Sequence, residues 1–330
     1  MSGEADRTGP AVLVLRALGL GDLLTAVPAL RGLRRAYPQH RLVLAAPAAL
    51  EPLVALIGCV DEVLPTAGLG ELRWTGEPPE LAVNLHGRGP ESTADLLAVE
   101  PRNLLTHRHP AVAGVPGLKW RSDLHEVDRW CRLLEFAGIA ADRDDLDITA
   151  PGLRDAMPAG PATAVVHPGA GSPSRRWPAS RYAEVAAHLR ERGLQVVVTG
   201  SQSEVGLAQE VADGAGLSED AVLAGRHDLA GLVDVVASAA LVVCGDTGMG
   251  HLATALGTPS VLLFGPMPPR LWGPPATRPR HLVLWAGDVG DPHGQVPDSG
   301  LLLLTPAQVI AAVDRQLVRY PADREVTGVG

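Results

Sequence analysis

Between Leu241 and Gly265 the chain completes one whole unit of an α/β fold. An apolar strand (Leu241, Val242, Val243) runs into Gly245-Asp246-Thr247-Gly248, and a helix begins at once. Gly257 ends that helix, and Thr258-Pro259 turns the chain into a second apolar strand, Val261 to Phe264. A strand that stops in glycines at a helix N-terminus aims backbone N–H groups and a positive dipole end at one point, a natural seat for phosphate. Gly248 and Gly250 let a ligand come close to the backbone.

The same grammar runs through the whole sequence, and alternation of short apolar runs with amphipathic segments specifies a parallel α/β protein. In the first half, strands are expected at Val12–Leu15, Leu42–Ala45, Val60–Leu64, Leu81–Leu85 and Asn103–Thr106. Helices are expected at Leu23–Ala36, with Leu23, Leu24, Val27, Leu30 and Leu33 on one side, and at His125–Ala137, closed by Gly138. Residues 140–161 turn acidic and then Pro/Gly-rich, and read as a linker. The pattern then restarts, with strands expected at Ala164–Val166, Gln195–Thr199, Ala221–Leu223, Leu241–Val243, Val261–Phe264 and His281–Leu284. Helices are expected near 179–192, 203–214, 228–239 and 247–256, and a last one, Pro306–Arg319, is expected to pack back on the first domain. The architecture is two Rossmann-like domains, 1–150 and 151–330, facing a cleft. Ligands in such sheets sit beyond the carboxyl ends of the strands.

Composition narrows the function classes. The net charge is −9 and neither half is basic, which argues against a nucleic-acid partner. Cys59, Cys131 and Cys244 are scattered, with no disulfide framework or metal spacing. No signal-peptide pattern opens the chain, and Leu301 to Leu304 is far too short to span a membrane, so a cytoplasmic location is expected. Lys119 is the only lysine among 28 basic residues, so arginine can stand where relatives use lysine.

Several motifs are rejected on their residues. Gly19-Leu20-Gly21 lacks the third glycine of a dinucleotide fingerprint, since Leu24 stands there, and the second strand ends in Ala46-Pro47 without an acid. No Gly-Lys-Ser/Thr triplet exists for a P-loop. Asp246-Thr247-Gly248 resembles the aspartic-protease triplet, but the α/β pattern is wrong for it. Asp144-Asp145-Leu146-Asp147 mimics a metal-binding Asp-x-Asp but falls in the linker, as a solvated acidic run. No His/Cys cluster has metal spacing, and no metal or other cofactor is expected.

Other features keep two readings. Asp22, at a helix start, suits either an N-cap or a general base. His251 shares a helix face with Thr247 and suits either a buried hydrogen-bonded role or contact with the anion. The loop His167-Pro-Gly-Ala-Gly-Ser-Pro-Ser-Arg-Arg-Trp-Pro178 combines glycines, hydroxyls and two guanidinium forks, which match phosphate oxygens. Arg31, Arg34 and Arg35 share a helix face that is either solvated or touches an anionic acceptor. Asn84-Leu-His-Gly-Arg88 is either an ordinary polar loop or a site for hydroxyl-rich ligands.

Three blocks in order carry a family resemblance: Leu18-Gly-Leu-Gly-Asp-Leu-Leu with Pro28-Ala-Leu-Arg-Gly-Leu-Arg, the His167 to Pro178 loop, and Asp246-Thr-Gly-Met-Gly-His-Leu-Ala. Together they resemble family 9 glycosyltransferases, the ADP-heptose:lipopolysaccharide heptosyltransferases, over roughly residues 11–320. The resemblance implies a GT-B fold and an inverting, metal-independent transfer of a heptose-like sugar from a nucleotide diphosphate to a hydroxyl acceptor. It makes Asp22 the catalytic base. Arg175 takes the place of the family's lysine on the donor diphosphate, with Gly169, Ser172 and Arg176 beside it. Glu204 matches a ribose-binding acid, His227 lies where the base packs, and Asp246, Thr247, Gly248, Met249 and His251 line the nucleotide site. Gly21, Asn84, His86, Arg88 and His125, the last opening the recurrent His125-Glu126-Val127, are assigned to the acceptor. The acceptor is a glycan, a glycolipid or a small molecule, and a lipid acceptor would bring peripheral membrane contact. The rival readings are a nucleotide-sugar epimerase on the same fold and a non-catalytic nucleotide-sugar-binding protein.

Overall fold

Runs of Val and Leu without polar alternation suit strands covered on both faces. In the computed structural model, which describes residues 9–148 and 161–321, they form two parallel five-stranded sheets. The chain divides into two units after Ile148.

The first unit holds β1 (Ala11–Leu15), β2 (Arg41–Ala46), β3 (Glu62–Pro65), β4 (Leu81–Asn84) and β5 (Leu104–Leu105), in the order β3-β2-β1-β4-β5. Leu15 pairs with Ala45 on one side and Asn84 on the other. Its helices are α1 (Leu20–Ala36), α2 (Glu51–Ile57), α3 (Glu91–Leu97) and α4 (Glu126–Phe136), and a short ribbon joins β6 (His107–Arg108) to β7 (Leu118–Lys119).

The second unit holds β8 (Thr163–His167), β9 (Gln195–Val198), β10 (Leu241–Gly245), β11 (Ser260–Phe264) and β12 (His281–Trp285), in the order β12-β11-β10-β8-β9. Its helices are α5 (Ala179–Glu191), α6 (Val205–Ala215), α7 (Leu229–Ser238), α8 (Gly248–Leu256), α9 (Pro269–Trp272), α10 (Ser299–Leu302) and α11 (Pro306–Arg319). In each sheet the strand order reverses beside the first strand, between β1 and β4 and between β8 and β10. Such a reversal opens a crevice at the carboxyl ends.

Two expectations are corrected. The strand at Ala221–Leu223 shrinks to a 3-10 turn, Glu219–Ala221, and one bridge between Val198 and Val222, because the chain turns away again at Gly225 (φ 70°). The acidic stretch after α4 keeps Asp144 and Asp147 exposed, as expected, but it is packed through its apolar residues as far as Ile148. Gly32 of α1 has no room for a Cβ, which would lie 2.9 Å from the Ala140 carbonyl, so this segment runs tightly across α1. Leu146 and Ile148 are buried there, and Asp145 pairs with both Arg31 and Arg35. The rest of the expected linker, 149–160, lies outside the described residues. The final helix, α11, belongs to the second unit: Val309, Ala312 and Val313 join its core, and Gln316 donates to the carbonyls of Ser260 and Arg280.

Candidate active site

In the first unit the two crevice-forming strand ends are tied by a side chain that the sequence reading passed over. Arg16, immediately after β1, is wholly buried. Its Nε donates to the Asp22 carbonyl (2.9 Å), and its Nη1 to the carbonyl of Leu85, just past β4. Its Nη2 faces Thr25 Oγ1, Glu126 Oε1 and Asp22 Oδ1 at 3.1, 3.2 and 3.4 Å.

Asp22 is not the N-cap of α1. Gly19 is, in extended backbone, and Asp22 stands in the first turn. About 30% of its side chain stays exposed. Burial raises its carboxyl above the ordinary carboxylate value. Arg16 opposes that rise, Glu126 adds to it, and the N–H groups of Gly19 and of Asp22 itself oppose it. A carboxylate with raised proton affinity and access to solvent has the attributes of a general base. Gly21 precedes it in the same turn.

His86 sits on the same loop as Leu85, half-buried, with its Nδ1 buried and unpartnered. Burial and then Arg16 lower its pKa, while Asp95 opposes, so the ring is biased toward neutrality. Arg88 is exposed. Two of the expected acceptor residues have partners within the fold. Asn84 is fully buried, donating toward the hydroxyls of Ser92, Thr93 and Thr106 and accepting from the N–H of His86. His125 is the N-cap of α4, its Nδ1 accepting the Val127 N–H at 3.2 Å. Arg34 reaches Asp61 and the carbonyls of Cys59 and His40, so with Arg31 and Arg35 the basic face of α1 meets partners within the first unit.

In the second unit the loop after β8 and the turn after β10 meet. Arg175 Nη1 donates to the Asp246 carbonyl at 3.3 Å, and Arg176 donates through Nε and Nη2 to the Ala170 carbonyl at 3.2 and 3.0 Å. Among the described residues neither guanidinium forms an ion pair. The loop is held from behind by Trp177, buried, whose Nε1 donates to the Leu304 carbonyl and whose ring meets Tyr182 edge-on. Ser172 is buried and accepts the Arg175 N–H on its carbonyl, and the buried Ser174 hydroxyl has no hydrogen-bond partner among the described residues.

Asp246 is 7% exposed, and burial pushes its carboxyl up to about 6 against the pull of Arg175. It lines a small pocket together with Thr247, His251 and Trp272, so His251 does share a face with Thr247, and its ring also meets Trp272 edge-on. The helix end itself is partly self-capped: Thr247 Oγ1 accepts the Met249 N–H, and the Thr247 carbonyl accepts that of Gly250. That leaves the N–H of Gly248 and the helix dipole. Met249 is 2% exposed, so its side chain belongs to the core.

Beside this loop lies a cavity of about 290 Å³, lined by His167, Thr199, Glu204, His227 and the leucines 223, 229 and 232 among others. Glu204 Oε2 closes a capping box with Ser201, while Oε1 lies over Gly169, where an added Cβ would come within 2.3 Å. Gly169 is therefore required for Glu204 to occupy its place. The His167 ring contacts Thr199 Oγ1 at 3.1 Å, and burial lowers its pKa. An elongated group with polar hydroxyls and a flat apolar end suits such a cavity. Among the described residues no group of three His, Cys, Asp or Glu is arranged to hold a metal, and no helix is long and apolar enough to cross a membrane.

Sequence reasoning missed Arg16, Glu126 and Ser174. Glu126 stood inside a recognised segment, and Arg16 broke an apolar strand end, a signal that was available.

Comparison with known proteins bears on the family and the fold. A family model described as glycosyltransferase family 9 (heptosyltransferase) matches residues 118–289. Lipopolysaccharide heptosyltransferase 2 of Escherichia coli K12 is 26% identical, over 94% of this chain and 99% of its own length. The structure of E. coli ADP-heptose lps heptosyltransferase II superposes with a TM-score of 0.75 at 24% identity, covering 94% of this chain and 99% of that one. A family 9 glycosyltransferase from Veillonella parvula superposes with a TM-score of 0.77 at 19% identity, covering 94% and 98%. The fold is GT-B.

Proposed function

Because the chain belongs to glycosyltransferase family 9, the heptosyltransferase family, we propose that it moves a heptose-like sugar from ADP-heptose or a close analogue to a hydroxyl acceptor, with inversion and without a metal. The observation that carries the donor reading is the pair of guanidinium groups, Arg175 and Arg176, bonded only to carbonyls beside a nucleoside-sized cavity. Two cations without carboxylate partners are suited to the charge that develops on a departing nucleoside diphosphate. Glu204 then takes the ribose hydroxyls and His227 flanks the base, while His251 and Asp246 position the phosphate-proximal end.

Asp22 takes the proton of the acceptor hydroxyl as its oxygen attacks the anomeric carbon opposite the leaving group. His86 and Arg88, at the neighbouring strand end, contact the acceptor. The named relative acts on lipopolysaccharide, and a glycan or glycolipid acceptor is the corresponding reading for this chain, with work in the cytoplasm and contact with a membrane surface where the acceptor is a lipid.

The test is to incubate the protein with a panel of nucleotide sugars, with and without hydroxyl acceptors and in chelator, and to identify products by mass. Sugar transfer that needs the acceptor and survives chelation is expected. Conversion of the donor without acceptor, or binding without turnover, would overturn the reading.

A further inference from the structure

We propose that Glu126 is a positioning residue that keeps Asp22 basic by holding the charge of Arg16 away from it. The inference rests on the reading of Asp22 as the base. Its ground is a competition at one nitrogen. Arg16 Nη2 carries two hydrogens and meets three acceptors, of which Asp22 Oδ1 is the farthest, at 3.4 Å, behind Thr25 Oγ1 and Glu126 Oε1. Arg16 Nε and Nη1 each donate to a carbonyl, of Asp22 and of Leu85, so Nη2 is the nitrogen that meets the Asp22 carboxylate.

Glu126 cannot yield its place. It is 6% exposed, in the first turn of α4. Its Oε1 also accepts from Trp130 Nε1 and its Oε2 from Arg129 Nε, each at 3.0 Å. Arg129 is fixed in turn by the carbonyls of Arg121 and Leu124 and lies 4.0 Å over the Trp120 ring, while the Trp130 ring lies 4.8 Å beneath Arg16.

The consequence follows from charge. A guanidinium paired with Asp22 alone would stabilise its carboxylate and lower its proton affinity by about 1–3 pH units, and a base so stabilised accepts protons poorly. With Glu126 on the same nitrogen the attraction is shared. The charged groups that act on Asp22 are Arg16 after β1 and Glu126 on α4; around these two, Arg129 on α4 pairs with Glu126, His86 after β4 feels Arg16 and Asp95 of α3, and His107 of β6 feels Arg129 and Glu126. His86 is biased toward neutrality, and burial and Arg129 bring His107 down to about 4. The two arginines and two carboxylates thus form the balanced set that tunes the base.

The experiment is kcat/KM against pH for wild type, Glu126→Gln, Glu126→Asp and Asp22→Asn, with folding checked by circular dichroism. Glu126→Gln should move the acid limb about one unit lower and reduce the plateau rate several-fold, because Arg16 then bears fully on Asp22. Glu126→Asp, which keeps the charge, should leave the limb near its wild-type position. A merely structural Glu126 would lower the rate in both variants and move neither limb, and that result overturns the proposal. If Glu126→Gln does not fold, Trp130→Phe decides: it frees Oε1 for Arg16 and should move the limb upward, and a limb unmoved or lowered overturns the proposal. Wild-type turnover by Asp22→Asn removes the base reading and this inference with it. An inactive Asp22→Asn beside an unmoved Glu126→Gln limb removes this inference alone.

Discussion

Asp22 and Asp246 each follow a strand that borders the reversal point of a parallel sheet, and each stands at the start of a helix. Both carboxyls are raised by burial. They differ in what the nearby arginine does. Arg16 is buried and charge-paired, shared between Asp22 and Glu126. Arg175 and Arg176 donate to carbonyls and form no ion pair among the described residues, although the charge of Arg175 opposes the rise of the Asp246 carboxyl. A cation held in an ion pair is largely neutralised, whereas one outside any ion pair keeps more of its charge for a ligand. On the proposed reading, the same local grammar builds a proton acceptor in one unit and an anion receptor in the other.

The largest test of that contrast is Asp22→Asn. Turnover should fall by about two or more orders of magnitude, the usual loss of a general base, while donor affinity measured by calorimetry stays within about twofold of wild type on the same grounds. A large loss of donor affinity would mean that Asp22 belongs to the receptor side of the comparison.

Arg175→Ala should do the converse. Losing a charge-assisted hydrogen bond of about 1.5–3 kcal/mol weakens donor binding by about 10- to 100-fold, read as a higher Kd for nucleoside diphosphate. An unchanged Kd would move the diphosphate elsewhere.

The contrast also sets a pH dependence in the second unit. The folded value for Asp246, about 6, lies above the ordinary 3.8, so the folded protein binds this proton more tightly than the unfolded chain. The resulting stability is full below pH 3.8 and is lost as pH rises through about 6. Asp246→Asn, which cannot ionise, should gain on wild type across that window and lead it by about 2–3 kcal/mol at pH 7. Urea midpoints at pH 4, 6 and 8 check this; a difference that does not change with pH would remove the buried carboxylate from the account.

Much of this was legible in the residues because strand–glycine–helix turns are local. The segment from Leu241 to Phe264 folds as its sequence reads, and α1, α4, α5 and α11 lie within a few residues of their expected bounds. Burial and pairing were not legible, because they depend on partners distant in sequence. Asn84 looked like a ligand contact and is consumed by Ser92, Thr93 and Thr106. Arg16, just past the expected strand Val12–Leu15, drew no reading, since its partner Glu126 lies 110 residues away. Met249 stood inside a ligand motif whose backbone matters while its side chain fills the core.

The smallest effect is the sharpest check on whether pairing marks a structural cation. Arg35 is 52% exposed and pairs with Asp145, which Arg31 also holds. If paired arginines serve the fold and unpaired ones serve ligands, Arg35→Ala should cost at most about 1 kcal/mol, as exposed ion pairs do, and leave the acceptor KM unchanged. Arg88, exposed at the strand end beside His86, is the matched control, since its replacement by Ala should raise that KM. A raised KM in Arg35→Ala with none in Arg88→Ala would put the acceptor on the α1 face, and charge pairing would then no longer separate the two kinds of arginine.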